Sequence, residues 1–437
     1  MDNIITICGG GSTYTLPMIK TLCDYHNEFP IAEVRLFDIE TKKMEYIYEA
    51  AKVMFYELMP DVKLKMTTDK EEAFASVDFV FMQIRSGGFE MREHDEKVPL
   101  SYGCVGQETC GAGGFAYGLR SIRDIIDLVQ AIRKLSPNAW ILNYSNPAAI
   151  VAEATQRFFP NDQRLINICD MPIAIMDGFA ERLGLKRNQL KARYFGLNHF
   201  GWFTNIYDMN GNDRLDEIRA GLREARVMPE ELSQDSGWQE TFEMLHQMVS
   251  DFDAFIPNTY LQYYLYPKSV VKKENPKYTR ANYVMDHRLK GVERLCQQII
   301  KNKTVQGSSL EKGVHGTYIV ELAKALTGSE EKEFLLIVKN QGIISNFSKE
   351  AMIEVPCIVS SRGIEPLFVG EIPTFQKALM EVQYGYEKLT VDAFINEDDQ
   401  AAFQALTLNR TIGDATTARQ ILDALKIKNQ GYWPNLK

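Results

Sequence analysis

No two of the seven cysteines are spaced as CxxC, which excludes the common structural zinc motifs, and their odd number does not suit a complete disulfide framework. Most are expected to be reduced core residues. Nowhere does the chain hold the roughly 18 uninterrupted apolar residues that a membrane helix requires. Its opening, Met1 into Ile4-Ile5-Thr6-Ile7, has no basic region followed by a long apolar stretch and a cleavage site, so no secretory signal is read there. The expectation is a cytoplasmic protein without membrane contact. Excess positive charge is missing as well, since 49 Lys and Arg face 58 Asp and Glu for a formal net charge of −9. Such a balance provides no field to gather nucleic acid, and any phosphate must be held by a local site. Internal repeats and low-complexity linkers are also lacking.

What is present is an ordinary globular composition, 45% hydrophobic and 24% charged over 437 residues, long enough for two domains with a substantial core. The first half alternates short apolar runs with helical patterns, as a parallel sheet wrapped by helices does. Strands are expected at Asn3 to Cys8, Glu33 to Asp38, Phe79 to Gln83, Ala139 to Asn143 and Leu165 to Ile168. Helices are expected over Thr15 to Tyr25, along the stripe Met44, Ile47, Ala51, Met54 and Leu58, and from Tyr117 to Leu135. The Gly- and charge-rich stretch from Arg85 to Phe115 has weak periodicity and reads as a long functional loop. Beyond Phe195 the regular alternation breaks. The expected fold class is α/β, with an N-terminal Rossmann-like, doubly wound parallel sheet of the lactate and malate dehydrogenase kind over residues 1–195. A C-terminal mixed α+β substrate domain is expected over residues 196–437.

Gly9-Gly10-Gly11-Ser12 follows the first strand and precedes a helix, so backbone amides and the helix N-terminus are placed to cradle a pyrophosphate. Tyr14 stands where the third glycine of GxGxxG would fall. Asp38 closes the second strand, where a carboxylate commonly grips an adenosine ribose and disfavours a 2′-phosphate. Strand, turn, helix, strand and acid in this order point to NAD. The glycines by themselves equally suit a tight turn with no ligand.

Asn143-Tyr144-Ser145-Asn146-Pro147 and Cys169-Asp170-Met171-Pro172 both follow expected strands, and ligands collect at the carboxyl ends of parallel strands. A Cys169 thiolate and a His199 imidazole make a half-site for a divalent transition metal, with substrate oxygens or water completing the shell. The same residues also fit a buried cysteine, a satisfied core histidine and, for Asp170, a helix cap. The phenol-dense segment from Pro257 to Tyr264 reads either as an aromatic core patch or as the seat of a base, because a cation beside a tyrosine lowers its pKa. Arg92 and Arg280 are candidates to grip a phosphate in two places, or to pair with surface acids.

Taken together, Gly9-Gly10-Gly11-Ser12-Thr13, Gly106-Gln107-Glu108-Thr109-Cys110-Gly111, Asn143-Tyr144-Ser145-Asn146-Pro147, Cys169-Asp170-Met171-Pro172 and Asn198-His199-Phe200-Gly201-Trp202 resemble glycoside hydrolase family 4. The likeness continues through Asn258-Thr259-Tyr260 and Thr279-Arg280-Ala281-Asn282 to the last helices. Within that family, Cys-Asp-Met-Pro is similar to the version in 6-phospho-α-glucosidases, whereas 6-phospho-β-glucosidases usually carry Asn in place of the Asp. An acid on the leaving-group side of an α-linkage can protonate the departing oxygen, and an amide cannot.

The resemblance implies NAD- and Mn²⁺-dependent hydrolysis of a phosphorylated disaccharide such as maltose 6′-phosphate. The implied sequence is oxidation at C3, removal of the C2 proton, elimination of the aglycone, addition of water and return of the hydride. It also implies NAD contacts from Gly9, Gly10, Gly11, Ser12, Thr13 and Asp38, a metal on Cys169 and His199, Tyr260 as base and Asp170 as acid. Asn146 then touches substrate near the metal, Arg92 and Arg280 serve the C6 phosphate, and the chain assembles as a homodimer or homotetramer. Other readings stay open at this point. The sheet, the glycine turn and the Asn146-Pro147 step suit a 2-hydroxy-acid dehydrogenase of lactate or malate type, which needs neither metal nor Cys169. A catalytically silent NAD-binding regulator and a different family 4 specificity suit them too.

Overall fold

The computed structural model describes residues 2–224, 236–311, 313–328 and 330–437. Short apolar runs form the strands of the first half: β1 (Asn3–Cys8), β2 (Ile31–Phe37), β3 (Lys63–Thr67), β4 (Phe79–Met82), β5 (Trp140–Asn143) and β6 (Leu165–Asn167). They pair in parallel in the order β3-β2-β1-β4-β5-β6, the doubly wound arrangement. Central strands with helices on both faces must be apolar throughout, and Ile5, Ile7 and Cys8 of β1 and all of β4 are fully buried. The strand order reverses between β1 and β4, which opens a crevice at their carboxyl ends.

The second half supplies β7 (Leu190–Leu197), β8 (Phe200–Asp208), β9 (Ile256–Pro257), β10 (Lys332–Lys339), β11 (Met352–Ser360) and β12 (Gly363–Pro366). β10 runs antiparallel to β6 through Ile337 and Asn167, and β11, β7, β8 and β9 follow in antiparallel succession. The sheet therefore crosses without a break from a parallel half into an antiparallel half. β7 and β8 are joined by the two residues Asn198 and His199, and His199 takes a φ of +62°, a left-handed conformation sparsely used by residues with a side chain.

Expected and observed strand ends differ by one or two residues, and the helix Thr15–Tyr25 spans the residues expected of it. In the helix Thr41–Leu58 the stripe Met44, Ile47, Ala51 and Met54 is buried, but Leu58 at its end is 38% exposed. The largest difference concerns Arg85 to Phe115. The loop expected there contains the helix Gly88–Ser101, and the next helix already begins at Gly111, not near Tyr117. Helical periodicity is masked because charged residues occupy part of the buried face of Gly88–Ser101: Arg92, Asp95 and Glu96 lie in the interior beside Met91 and Val98. Arg120 forks onto the Asp95 carboxylate and Arg92 Nε donates to Glu96 Oε1 at 2.9 Å, which makes burial of those charges tolerable.

Candidate active site

A cavity of about 1250 Å³ lies at the carboxyl ends of the parallel strands, and all the expected site residues except Gly10 line it. Gly10 serves packing instead. A Cβ there would sit 3.0 Å from the Cβ of Leu36 and 3.1 Å from Met44 Sδ, so the glycine lets the turn lie on β2 and its helix. Gly9 has a φ of +93°, and an added Cβ would come within 2.8 Å of the Gln83 carbonyl oxygen, so it holds the crossing between β1 and β4 close. The amides of Gly9 and Gly10 both donate to Phe37 O at 2.8 Å. Gly11 N–H donates to Asp38 Oδ2 at 2.9 Å. Closing the turn uses these amides, which leaves the start of the helix Thr15–Tyr25 as the positive end facing the cavity.

Cys169, just beyond β6, and His199, at the β7–β8 turn, come together from the two halves with Sγ 3.4 Å from Nε2. Thr109 Oγ1 stands 3.4 Å from the other ring nitrogen, Nδ1. Burial lowers the His199 pKa to about 4, which keeps the imidazole neutral, the form that ligates a metal. Burial, followed by the nearby Glu354 and Asp170, pushes the Cys169 thiol well up, so a cation is needed to make it a thiolate. Among the described residues no group of three or more His, Cys, Asp and Glu is assembled for an ion. Two protein donors of this kind suit a divalent transition metal whose remaining positions belong to substrate and water.

Tyr260 stacks on the His199 ring at 4.0 Å and 21°. Burial, then Tyr263, Cys110, Cys169 and Glu108, push its phenol well above the usual range. The lowering expected from the sequence is therefore not produced by the protein's own groups, and it requires a bound cation.

Asp170 occupies the N-cap position of the helix Met171–Arg182, yet its side chain makes no capping hydrogen bond, so the helix-cap alternative is not realised. Its carboxylate instead faces His315, with Nδ1 3.6 Å from Oδ2. Burial pushes the carboxyl up, but His315 and the Tyr144 phenol outweigh it and hold the group below the ordinary carboxylate range.

Arg92 is buried and pairs with Glu96, and its Nη1 lies 3.1 Å from Glu108 Oε1. Arg85 pairs with the same Glu108. Burial would raise the Glu108 carboxyl, but Arg85 and Arg92 bring it down to about 2. Arg280 opens the short helix Arg280–Tyr283, which is tied to Gly88–Ser101 by Ala281 N–H on Glu96 Oε2 at 2.6 Å and Asn282 Nδ2 on Glu93 Oε1 at 2.9 Å. Glu96 thus joins Arg92 to the backbone of the helix that Arg280 opens, and Arg92 is not a simple surface ion pair. Asn146, preceding a cis peptide bond to Pro147, lines the same cavity.

Glu108, Thr109 and Tyr144 lie within contiguous motifs, but nothing in those motifs specifies the partners they meet. His315 carried no local signal at all. It is a lone histidine on the helix Val314–Thr327, and only the docking of that helix brings it to Asp170.

A family model described as Family 4 glycosyl hydrolase matches residues 4–185, and one described as Family 4 glycosyl hydrolase C-terminal domain matches residues 194–412. The chain belongs to glycosyl hydrolase family 4. The phospho-α-glucosidase PagL of Clostridium acetobutylicum is 52% identical to this family 4 chain over 99% of each sequence. The maltose-6′-phosphate glucosidase of Bacillus subtilis is 46% identical over 99% of this chain and 97% of its own. A crystal structure of a 6-phospho-α-glucosidase from gut microorganisms, in complex with NAD and Mn²⁺, superposes with a TM-score of 0.97 at 44% identity, all of both chains being covered. Family 4 membership across both halves decides against the 2-hydroxy-acid dehydrogenase, whose sheet and glycine turn are shared features of fold.

Proposed function

We propose that this chain hydrolyses 6-phospho-α-glucosides, maltose 6′-phosphate among them, to glucose 6-phosphate and the aglycone, with NAD and a divalent metal such as Mn²⁺ as cofactors. The observation that carries this reading is the meeting of Cys169 and His199, Sγ to Nε2 at 3.4 Å, in a cavity that also holds the glycine turn, Asp170, Tyr260 and the two arginines. When bound, NAD supplies reversible oxidation at C3 of the phosphorylated glucose, and the metal ion supplies positive charge beside the C2 and C3 oxygens.

The chain's own residues do the rest. Cys169 and His199 hold the ion, while the helix start beyond Gly11, with Ser12, Thr13 and Asp38, holds the dinucleotide. Tyr260, fixed by its stack on His199, takes the C2 proton once a cation beside it has lowered its pKa. Asp170 delivers a proton to the departing glycosidic oxygen. Substrate filling the cavity removes the water that favours the carboxylate, and so shifts Asp170 toward the acid form. Asn146 orients the sugar near the ion, and Arg92 and Arg280 grip the C6 phosphate with planar guanidinium groups.

Residues 1–195 form the NAD-binding unit in this reading and residues 196–437 the substrate and oligomerisation unit, with the metal pair contributed one ligand from each. Among the described residues no helix is long and apolar enough to cross a membrane. The working form is a cytoplasmic homodimer or homotetramer. The test is release of p-nitrophenol from p-nitrophenyl α-glucoside 6-phosphate in the presence of NAD⁺, Mn²⁺ and a thiol reductant, with the β-anomer in parallel. Release from the α-anomer alone is expected. No release from either sinks the proposal, and preference for the β-anomer reassigns the specificity within the family.

A further inference from the structure

One further imidazole stands in the cavity wall beside Asp170. His315 is 7% exposed, and its Nε2 is buried without a hydrogen-bond partner among the described residues. A buried nitrogen left unpaired is unfavourable for folding, so stability alone does not account for an imidazole here. Its other nitrogen, Nδ1, faces Asp170 Oδ2 at 3.6 Å, longer than a hydrogen bond but within reach of one after a small closure, as is common before substrate arrives.

Three features hold the ring at that angle. Tyr14 stacks on it at 4.6 Å and 15°, and Tyr144 meets it at 3.6 Å and 53°. Tyr14 is in turn fixed by Arg288, whose Nη1 donates to the phenol oxygen at 2.7 Å. The neighbouring Gly316 lets the helix Val314–Thr327 lie against the helix Thr15–Tyr25, since a Cβ there would fall 2.7 Å from Thr21 Oγ1 and 3.1 Å from the Met18 Cα. Without that close approach the imidazole would stand back from the carboxylate.

We infer that His315 is a positioning residue for the proton donor, its Nδ1–H holding the Asp170 carboxyl toward the leaving-group oxygen while the stacked Tyr14 and the tilted Tyr144 fix the direction of that contact. The inference rests on Asp170 being the acid of the proposed reaction. In the step concerned the C1–O bond breaks and the departing oxygen takes its proton from Asp170, so His315 itself transfers nothing. Its influence is therefore greatest when the leaving group cannot depart without a proton.

His315→Phe keeps an aromatic ring in the stack and removes Nδ1–H, whereas His315→Asn restores a donor near the same place without the ring. Each is assayed on maltose 6′-phosphate, whose sugar leaving group needs a proton, and on p-nitrophenyl α-glucoside 6-phosphate, whose phenolate leaves without one. His315→Phe is expected to lose on the order of 10²-fold in kcat on the disaccharide, with little loss on the aryl substrate and little change in either KM. His315→Asn is expected to recover most of the disaccharide rate. Equal losses on both substrates, or none on the disaccharide, overturn the inference. Asp170→Asn, run in parallel, separates the two layers. If that variant shows the selective loss and His315→Phe does not, only the role of His315 fails, whereas a non-selective Asp170→Asn removes the acid assignment itself. Should His315→Phe not fold, His315→Leu takes its place as the variant without a donor, read on the same two substrates: a loss confined to the disaccharide and recovered in His315→Asn supports the inference, and equal losses or none overturn it.

Discussion

Thr109 places its hydroxyl 3.4 Å from Nδ1 of His199, while Cys169 Sγ lies the same distance from Nε2. A partner on the far nitrogen of a ligating imidazole sets the tautomer and the ring angle. Thr109→Val is therefore expected to raise the Mn²⁺ concentration for half-maximal activity by roughly 10-fold or more, with NAD affinity unchanged by fluorescence titration. Cys169→Ser is expected to abolish the metal response altogether. A Cys169→Ser enzyme with an unaltered Mn²⁺ titration would exclude that sulfur as a ligand.

Tyr260 lies flat against the His199 ring, and the proposed reaction has it remove a carbon-bound proton that is later replaced from solvent. Turnover in D₂O is expected to place deuterium at C2 of the glucose 6-phosphate product, read by NMR. Tyr260→Phe should lower kcat by on the order of 10²- to 10⁴-fold, the usual worth of a positioned general base. Product without label at C2 would rule out the elimination route.

The helix that Arg280 opens is tied to Arg92 through Glu96, which accepts from Ala281 N–H and from Arg92, and both arginines line the cavity. Losing a charge-assisted hydrogen bond to phosphate costs roughly 10- to 100-fold in affinity. Arg280→Ala is expected to show that loss for glucose 6-phosphate and almost none for glucose, as measured by calorimetry. Equal effects on the two ligands would remove Arg280 from the phosphate site.

Glu387 lies in the interior of the helix Thr374–Asn396, where burial raises its pKa to about 8 from the ordinary 4.5, against a hydrogen bond from Gln383. In this pH interval the folded chain keeps a proton that the unfolded chain has released. Stability is thus highest below the unfolded pKa and falls as pH rises toward the folded pKa, by at most about 1.4 kcal/mol per pH unit. Glu387→Gln should flatten this part of the stability profile in urea melts at successive pH values and stabilise the protein at its alkaline end. An unchanged slope would show that Glu387 is charged in the folded state.

Some of this architecture was readable locally. The strands of the parallel half announced themselves as short apolar runs because they are buried on both faces, and Gly9, Asp38, Cys169 and Asp170 stood at strand ends where ligands gather. The helix Gly88–Ser101 did not announce itself, since Arg92, Asp95 and Glu96 interrupt the interior face that Met91, Val98 and Pro99 share and so break its apolar periodicity. The helix-cap alternative for Asp170 was equally sound by sequence and fell only when its side chain was seen to make no cap.

The order of residues by itself determined the doubly wound half, the place of the glycine turn and the family, because these depend on periodicity and on contiguous motifs. Tertiary structure alone decided that Thr109 backs His199, that Glu108 takes both Arg85 and Arg92, that Glu96 receives the Ala281 N–H and that His315 stands against Asp170. The longer of those contacts join residues far apart in the chain, 90 positions for Thr109 and His199 and 185 for Glu96 and Ala281. No local pattern encodes such meetings, which follow from the sheet's continuation into the second half and from helices packing closely enough to deliver single side chains.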